Sequence, residues 1–303
     1  MTKPPRLFDR DLHRLRLARA AKGSGEPDFL RTSAAEDLVS RLESVNRRFA
    51  VAVDLGARRG AFARALAASD AAGKVDFLAQ ADLSGAMLTG RAGARMVADE
   101  ERLPLKEASV DLIVSVLALH WTNDLVGALI QIRRALKPDG LFLASLLGGA
   151  TLTELRQVLL QAELDLVGGA GPRVSPFADA HDAGGLLQRA GFALPVVDVD
   201  RFTVGYDHPL ALMADLRAMG ETSVLVERPS ASLSGAVLAR AGELYAERFG
   251  SAGRIAASFE IITLTGWAPH PAQQQPLRPG SAKTRLADAL GRTEQPAGEK
   301  VRP

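Results

Sequence analysis

The chain contains no cysteine among its 303 residues. This absence excludes disulfides, thiolate metal sites and a thiol nucleophile, and it suits a reducing compartment. Long apolar runs are also missing, because the two longest, around Leu112–Leu119 and Leu141–Leu147, are far shorter than a membrane span. The first residues include no apolar core segment, so we expect neither a signal peptide nor a transit peptide.

A strong excess of one charge is absent as well. The sequence has 37 Lys and Arg residues against 35 Asp and Glu, which leaves a formal net charge of +2. So small a net charge predicts no strong field for nucleic acid. The 47% of hydrophobic residues is typical of a soluble globular protein with a sizeable core. We expect no nucleic-acid partner, and the composition leaves the oligomeric state open.

The order of apolar patterns predicts the fold class. Strand patterns alternate with helical segments in the first half of the chain, at Phe49–Leu55, Val75–Ala81, Met96–Ala98, Val110–Leu117 and Leu141–Leu147. Such alternation predicts an α/β fold, a Rossmann-like doubly wound and mostly parallel sheet with helices on both faces. We expect an N-terminal helical arm over 1–48, a main domain over 49–267 with a helical insertion at about 208–250, and a disordered tail over 268–303.

The stretch Phe49–Gly60 (FAVAVDLGARRG) predicts a ligand pocket. A strand ends in Asp54, the chain turns at Gly56, and a helical pattern follows Gly60. Glycines let the backbone approach a ligand, and the start of a helix presents free N–H groups. The alternative is a turn with a purely structural role.

Acidic residues follow three successive predicted strands. They are Asp54, Asp82 and Asp99, and ligands of parallel sheets bind beyond the carboxyl ends of the strands. A carboxylate after the second strand can accept from both ribose hydroxyls, and one after the third can accept from an adenine amino group. Each could instead cap a helix or lie in a solvated turn.

The glycine spacing distinguishes two ligands. A dinucleotide site needs G-x-G-x-x-G, whereas this turn is Gly56-Ala-Arg-Arg-Gly60. Asp54 would also repel a pyrophosphate, but it suits a ligand that carries an ammonium and a sulfonium. The turn therefore favours S-adenosylmethionine.

These segments together resemble the class I S-adenosylmethionine-dependent methyltransferases. The matching stretches are DLGARRG at 54–60, ADLSGAML at 81–88, DEERLPL at 99–105, SVDLI at 109–113 and LALHWTNDL at 117–125. The resemblance implies the class I methyltransferase fold and S-adenosylmethionine as cofactor. The cofactor-binding residues that it implies are Asp54, Gly56, Gly60, Asp82, Leu83, Asp99 and Glu100.

Within that superfamily the chain is most similar to a narrower group. This group holds the biotin-pathway malonyl-carrier-protein methyltransferases and a complex I assembly factor that hydroxylates an arginine of an iron–sulfur subunit. Segments that resemble the assembly factor lie at 8–10, 120–121, 148–156, 175–177, 219–221 and 265–267. The resemblance implies a protein substrate, with an iron–sulfur subunit of NADH dehydrogenase as a candidate partner. It also implies a bacterial, cytoplasmic protein.

Arg58 departs from the class I pattern. Methyltransferases of this class usually have glycine between the two glycines of the turn. A side chain at this position would crowd the ribose or the aminocarboxypropyl part of the cofactor.

His120 and Trp121 are the candidate residues on the acceptor side. They follow the fourth predicted strand, so His120 is a candidate general base and Trp121 a candidate pocket wall. The alternative is that the imidazole caps a backbone group and the indole lies in the core. Tyr206, Glu221 and Arg228, from the predicted insertion, are further candidates for the substrate channel. The other four histidines are expected at the surface or in linkers.

Two hypotheses remain open. The chain is either a methyltransferase that acts on a protein side chain or a small acid, or an assembly factor with a repurposed pocket. A carboxylate acceptor is already ionised and needs no base, whereas a nitrogen or carbon acceptor needs one. No histidine begins the His-x-Asp or His-x-Glu pair typical of iron(II) oxygenases. Hydroxylation is thus implied by the resemblance alone, and no metal site is predicted.

The acid after the second strand gives the first testable prediction. Asp82→Ala should weaken S-adenosylmethionine binding about ten- to a hundredfold, because one charge-assisted hydrogen bond is lost. Titration calorimetry measures the change. Tight binding that is unaffected by the substitution would contradict the predicted site.

Overall fold

A computed structural model describes residues 6–23, 29–273 and 291 of the chain. The chain divides into two compact units, Met1–Pro269 and His270–Pro303. Most of the predicted tail over 268–303 lies outside the described residues. The fold is therefore that of the first unit.

A mixed sheet forms the centre of this unit. Its strands are β1 Phe49–Leu55, β2 Val75–Asp82, β3 Ala94–Val97, β4 Val110–Val116, β5 Leu136–Leu147, β6 Ala193–Tyr206, β7 Gly250–Ser251 and β8 Arg254–Trp267. The strand order is β3-β2-β1-β4-β5-β8-β6, with β7 paired to β8. Strands β1 to β5 pair in parallel, and β8 runs antiparallel between β5 and β6. The predicted mostly parallel, doubly wound sheet is confirmed.

Helices cover both faces of the sheet. They are α1 Arg10–Ala21, α2 Phe29–Ser44, α3 Ala61–Ala67, α4 Leu125–Ala135, α5 Thr153–Val167, α6 Ala180–Ala190, α7 Pro209–Met219 and α8 Gly235–Phe249. Side chains cap the N-termini of several helices. Asp9 accepts from Leu12 N at 2.9 Å to cap α1, and Asp124 accepts from Gly127 N at 2.7 Å to cap α4.

Two apolar layers hold the helices to the sheet. Alternate residues of β4 point to opposite faces, so Leu112 and Val114 pack with α2, α3, α5 and α8, while Ile113 packs with α4 and α6. The seven residues of β4 are all buried. A strand that is buried on both faces cannot show the two-residue alternation of a half-exposed strand.

Two local predictions differ from the structure. The sequence Lys137-Pro-Asp-Gly140 predicts a turn before β5, but the strand already begins at Leu136. Asp139 takes a left-handed φ of 63°, and the register of β5 against β4 shifts here, so this stretch is an irregular start of the strand. The sequence pattern also predicts a helical segment at Gly85–Gly90, but the structure has only a short 3-10 helix there, Gly85–Leu88.

The predicted N-terminal arm consists of two different parts. Helix α2 belongs to the core, with Leu38 and Leu42 fully buried against the sheet layer. Helix α1 lies elsewhere and packs Leu17 against Leu83 and Met87 after β2. The division of the chain into domains stays a prediction.

Among the described helices, none is long and apolar enough to span a bilayer.

Gly56 gives a prediction about stability. Its φ is +75°, and a Cβ here would clash with the Cβ of Ala118. Gly56→Ala should therefore lower the free energy of unfolding by about 3 kcal/mol or more, from backbone strain plus overpacking. Gly90→Ala is the control, because its φ is +72° but the space around it is open. The control should cost only about 1 kcal/mol, and equal losses in urea titrations would contradict this account.

Candidate active site

Three carboxylates meet at the carboxyl ends of the parallel strands. Asp54 lies near the end of β1, Asp82 is the last residue of β2, and Glu100 follows β3. The side chains of all three are fully buried, whereas that of the predicted Asp99 is about one-third exposed (31%). The parallel order of β3, β2 and β1 brings these groups to one edge of the sheet, with Glu100 in the place where the strand pattern predicted Asp99.

The glycine turn after β1 forms the floor of the site. Gly56 and Ala57 donate their N–H groups to Ala81 O at 2.8 and 2.9 Å, which ties the turn to β2. Gly60 then begins α3 in a left-handed conformation with a φ of +73°. A Cβ at Gly60 would lie 2.9 Å from Gln80 Oε1, the end of a flexible side chain, so it is the left-handed conformation that favours glycine here.

Arg58 occupies the centre of this turn. Its backbone N and its Nη1 both donate to Asp82 Oδ2 at 2.9 Å, and the residue is only 1% exposed. The predicted crowding thus has a definite form, because the guanidinium lies against the carboxylate that the sequence assigned to the ribose. Asp82 Oδ1 accepts from Ser84 N at 2.8 Å.

Helix α1 brings a second arginine to the same group of acids. Arg10 Nη2 donates to Asp99 Oδ1 at 2.7 Å and also to Glu100 Oε2. Its Nη1 donates to Trp121 O at 3.2 Å. Helix α1 precedes the alternating strands and helices of the sheet, so the strand pattern did not predict where α1 packs or that Arg10 makes this contact.

Asp54 differs from its neighbours because it has no cation bonded to it. Neither of its carboxylate oxygens has a hydrogen-bond partner within the described residues. Burial and the neighbouring Asp82 raise the pKa of Asp54 to about 7, although Arg31 and Arg58 act in the opposite direction. The site therefore contains one buried carboxyl group that titrates near neutrality.

A second network lies on the acceptor side and is centred on Glu221. Its Oε2 accepts from Trp121 Nε1 at 2.8 Å and lies 3.1 Å from His120 Nε2. Its Oε1 accepts from Arg31 Nη2 at 2.9 Å. Burial alone would raise the pKa of Glu221, but the hydrogen bond from His120 and the positive charges of Arg31 and Arg58 outweigh it and hold that pKa well below the ordinary value. Glu221 is an ionised acceptor that orients its neighbours.

The Glu221 contact also fixes the tautomer of His120. An ionised carboxylate can only accept, so His120 Nε2 carries the proton and Nδ1 carries the lone pair. Nδ1 is buried and has no partner in the part of the chain that the structure describes. Burial lowers the pKa of His120 more than Glu221 raises it. His120 is therefore a neutral imidazole with an unpartnered basic nitrogen, and its side chain is fully buried. A general base needs such a neutral nitrogen.

His13 was expected at the surface, and that prediction is wrong. The residue is fully buried on α1, with its ring centroid 5.2 Å from that of Trp121. Burial, with Arg58 and Arg10 nearby, lowers the pKa of His13 well below its ordinary value. The sequence did contain an indication, because Leu17 and Ala20 follow at helical spacing and share the buried face.

A cavity of about 340 Å³ opens beside Trp121 and Glu221. Its walls are about equally polar and apolar and come from α1, α5, α7 and the loops near them. Four arginines line it: Arg16, Arg173, Arg217 and Arg228. Of the predicted channel residues, Trp121, Glu221 and Arg228 line this cavity. Tyr206 does not, because it packs in the core at the end of β6.

The described ranges contain no cluster of three or more His, Asp or Glu side chains that could hold a metal ion.

Comparison with known proteins identifies the class. Residues 53–144 match the family described as "Methyltransferase domain". Two Bacillus structures share the fold. The BH2331 protein of Bacillus halodurans superposes with a TM-score of 0.52 and 14% identity, and the match covers 78% of this chain and 99% of that protein. The YcgJ protein of Bacillus subtilis, with a TM-score of 0.51 and 16% identity, covers 77% and 98%. The fold is that of the Rossmann-like methyltransferases.

Relatives of known name define the family more narrowly. "Arginine-hydroxylase NDUFAF5, mitochondrial" of Danio rerio is 38% identical over 93% of this chain and 89% of its own length. "Malonyl-[acyl-carrier protein] O-methyltransferase" of Methylovorus is 34% identical over 89% and 92%. The chain belongs to the S-adenosylmethionine-dependent methyltransferase family that includes these two kinds of protein.

The site residues fit S-adenosylmethionine, the cofactor of this family. The unpaired, buried carboxylate of Asp54 suits the cationic end of the cofactor, and the turn at Gly56 lets the backbone approach it. When bound, the cofactor supplies an electrophilic methyl group. Asp82 could hold ribose hydroxyls only by sharing its carboxylate with Arg58.

The raised pKa of Asp54 predicts a pH-dependent stability. Below about pH 4 the carboxyl is protonated in both states, and between about pH 4 and 7 only the unfolded state ionises, so stability falls as the pH rises. Asp54→Asn cannot ionise, so it removes this loss of stability at rising pH. The difference in unfolding free energy between variant and wild type should shift in favour of the variant by up to about 4 kcal/mol between pH 4 and 8.

Asp111→Asn is the control for this measurement. Asp111 is also buried, but its Oδ2 accepts from Lys137 Nζ at 2.8 Å, so its loss should destabilise the protein. Urea titrations at several pH values measure both differences. A difference between Asp54→Asn and wild type that stays constant across this range would contradict the assignment.

Proposed function

We propose that this chain is an S-adenosylmethionine-dependent, methyltransferase-like enzyme that acts on an arginine side chain of a protein. The substrate that we propose is an iron–sulfur subunit of the respiratory NADH dehydrogenase, so the chain would serve the assembly of that complex. Hydroxylation is the reaction that the name of the NDUFAF5 relatives states; because it is a two-electron oxidation, on this chain it would require an external oxidant in addition to the groups of the site. We place the protein in the bacterial cytoplasm, in line with its similarity to bacterial carrier-protein methyltransferases.

The pair of Glu221 and His120 is the observation that carries this proposal. His120 is held as a neutral base with Nδ1 unpartnered among the described residues, while Glu221 accepts from its other nitrogen. A base is useful where the acceptor atom must lose a proton, as a nitrogen or carbon atom must. An acceptor carboxylate is already ionised and gains nothing from it. The arrangement therefore favours an arginine side chain over a malonyl carboxylate.

The match with the NDUFAF5 relatives supports the same function. It extends over 93% of the chain for the zebrafish protein, well beyond the methyltransferase domain at 53–144. The additional length includes Glu221 and the elements that line the cavity beside it. The match with the Methylovorus relative covers 89% of the chain and includes the same part, so it is the higher identity, 38% against 34%, that favours the NDUFAF5 relatives.

A second candidate function is favoured by the cavity. Four arginines line it, and arginine suits the recognition of carboxylates and phosphates. Methyl transfer to a malonyl group on a carrier protein, as in the Methylovorus relative, would use such a cavity. Three of the four are engaged by neighbours, since Arg173 pairs with Glu163, Arg16 donates to Ser223 O and Arg228 donates to Leu225 O at 2.8 Å.

A deletion strain of the source organism distinguishes the two functions. Loss of the gene should prevent assembly of NADH dehydrogenase and leave biotin prototrophy intact. Mass spectrometry should show that one arginine of an iron–sulfur subunit has lost its modification. Biotin auxotrophy with assembled NADH dehydrogenase would instead establish the carrier-protein methyltransferase.

Complementation tests the role of His120 in the same strain. A plasmid copy with His120→Ala should lower the rate at which that arginine is modified after induction about a hundredfold or more, because a general base contributes about 10² to 10⁴ in rate. His208→Ala is the control, since His208 is exposed and only caps α7 through Ala211 N. Equal restoration by both variants would remove His120 from the reaction.

A further inference from the structure

The guanidinium of Arg58 has one edge bonded and one edge free. Nη1 donates to Asp82 Oδ2 at 2.9 Å, and Glu100 Oε1 lies 3.9 Å from the same nitrogen. Nε and Nη2 are buried, and neither has a hydrogen-bond partner among the residues described. These two nitrogens form the edge through which arginine binds carboxylates with two parallel hydrogen bonds.

Two unfavourable features coincide at this residue. A buried N–H without a partner costs about 1–3 kcal/mol, and few native groups are left in this state. Arg58 also has a φ of +49°, a left-handed conformation that costs a non-glycine residue about 1–2 kcal/mol. Glycine would avoid both costs. Strain and unsatisfied donors at one buried position beside the three carboxylates indicate a functional reason for the arginine.

Two residues near Arg58 also have buried polar atoms without hydrogen-bond partners among the described residues: His13 and Asp54. His13 Nδ1 lies 3.4 Å from Arg10 Nη1 and can accept from it, so His13 Nε2 carries the proton and is a further buried donor without a described partner. Asp54 provides two unpartnered acceptor oxygens nearby. Unsatisfied donors thus come from α1 and the turn, while unsatisfied acceptors come from β1. A ligand that carries both a carboxylate and an ammonium would satisfy both sets.

We propose that the Nε–Nη2 edge of Arg58 binds the carboxylate of an α-amino acid group while Asp54 binds its ammonium. This inference rests on the proposed function, since S-adenosylmethionine is the ligand that carries such a group into this pocket. Arg58 is then a specificity-determining residue for the amino-acid end of the cofactor. Its contact with Asp82 holds the guanidinium in place, and Asp82 is a positioning residue for Arg58.

Binding of two ligands to two proteins tests this assignment. Titration calorimetry compares S-adenosylmethionine with decarboxylated S-adenosylmethionine, which keeps the ammonium and lacks the carboxylate. Arg58→Gly should weaken the binding of S-adenosylmethionine about ten- to a hundredfold and change that of the decarboxylated compound less than about twofold. Arg58→Lys keeps the charge but lacks the two parallel N–H donors, so it should lose most of the preference for S-adenosylmethionine over the decarboxylated compound. This variant serves if the glycine variant does not fold.

Ala108→Gly is the matched control. Ala108 has the same φ of +49° but lies exposed in the loop before β4, so the substitution relieves similar strain away from the pocket. It should leave both affinities unchanged.

Other binding results would show whether the carboxylate assignment or the proposed function is wrong. Wild-type protein that binds both compounds, with Arg58→Gly weakening both equally, would overturn the carboxylate assignment alone. Tighter binding of both by Arg58→Gly would also overturn it and would show that Arg58 blocks the ribose position. Wild-type protein that binds neither compound would contradict the proposed function itself.

Discussion

The compensation of buried carboxylates is the constraint on which this structure depends. Four buried acids surround the site: Asp54, Asp82, Glu100 and Glu221. A buried carboxylate without a partner costs several kcal/mol, so each acid requires a cation or a proton. Arg58, Arg10 and Arg31 supply the cation for three of them. The fourth, Asp54, has a pKa raised to about 7 and is left for a cationic ligand.

This compensation explains why parts of the chain outside the sheet belong to the site. Arg10 on α1 bonds to the acids that follow β3, and Arg31 on α2 connects Glu221 to the end of β4 by donating to the carbonyls of Val116 and Leu117. The helices before β1 therefore hold the charges of the pocket in addition to covering it. The His120 tautomer depends on the same network, because Glu221 must stay ionised to accept from it.

Parts of this arrangement follow from the sequence, for a simple geometric reason. Carboxyl ends of neighbouring parallel strands meet at one edge, so Asp54 and Asp82 could be placed together from the strand pattern alone. The contacts of Arg10, Arg31 and His13 could not, because no local pattern states where a helix outside the sheet will pack. Glu221 was predicted near the substrate, but its bond to His120, 101 residues away, depends on the loop after α7. The Arg58 substitution was visible in the sequence, whereas its contact with Asp82 needed the structure.

Proton exchange on cofactor binding tests the central claim most directly. If Asp54 is the uncompensated carboxyl, a bound cation must lower its pKa, and S-adenosylmethionine binding at pH 6 should release close to one proton. Titration calorimetry in buffers of different ionisation enthalpy measures this number, and Asp54→Asn should abolish the release. Cofactor binding without proton release at pH 6 in the wild-type protein would contradict the account.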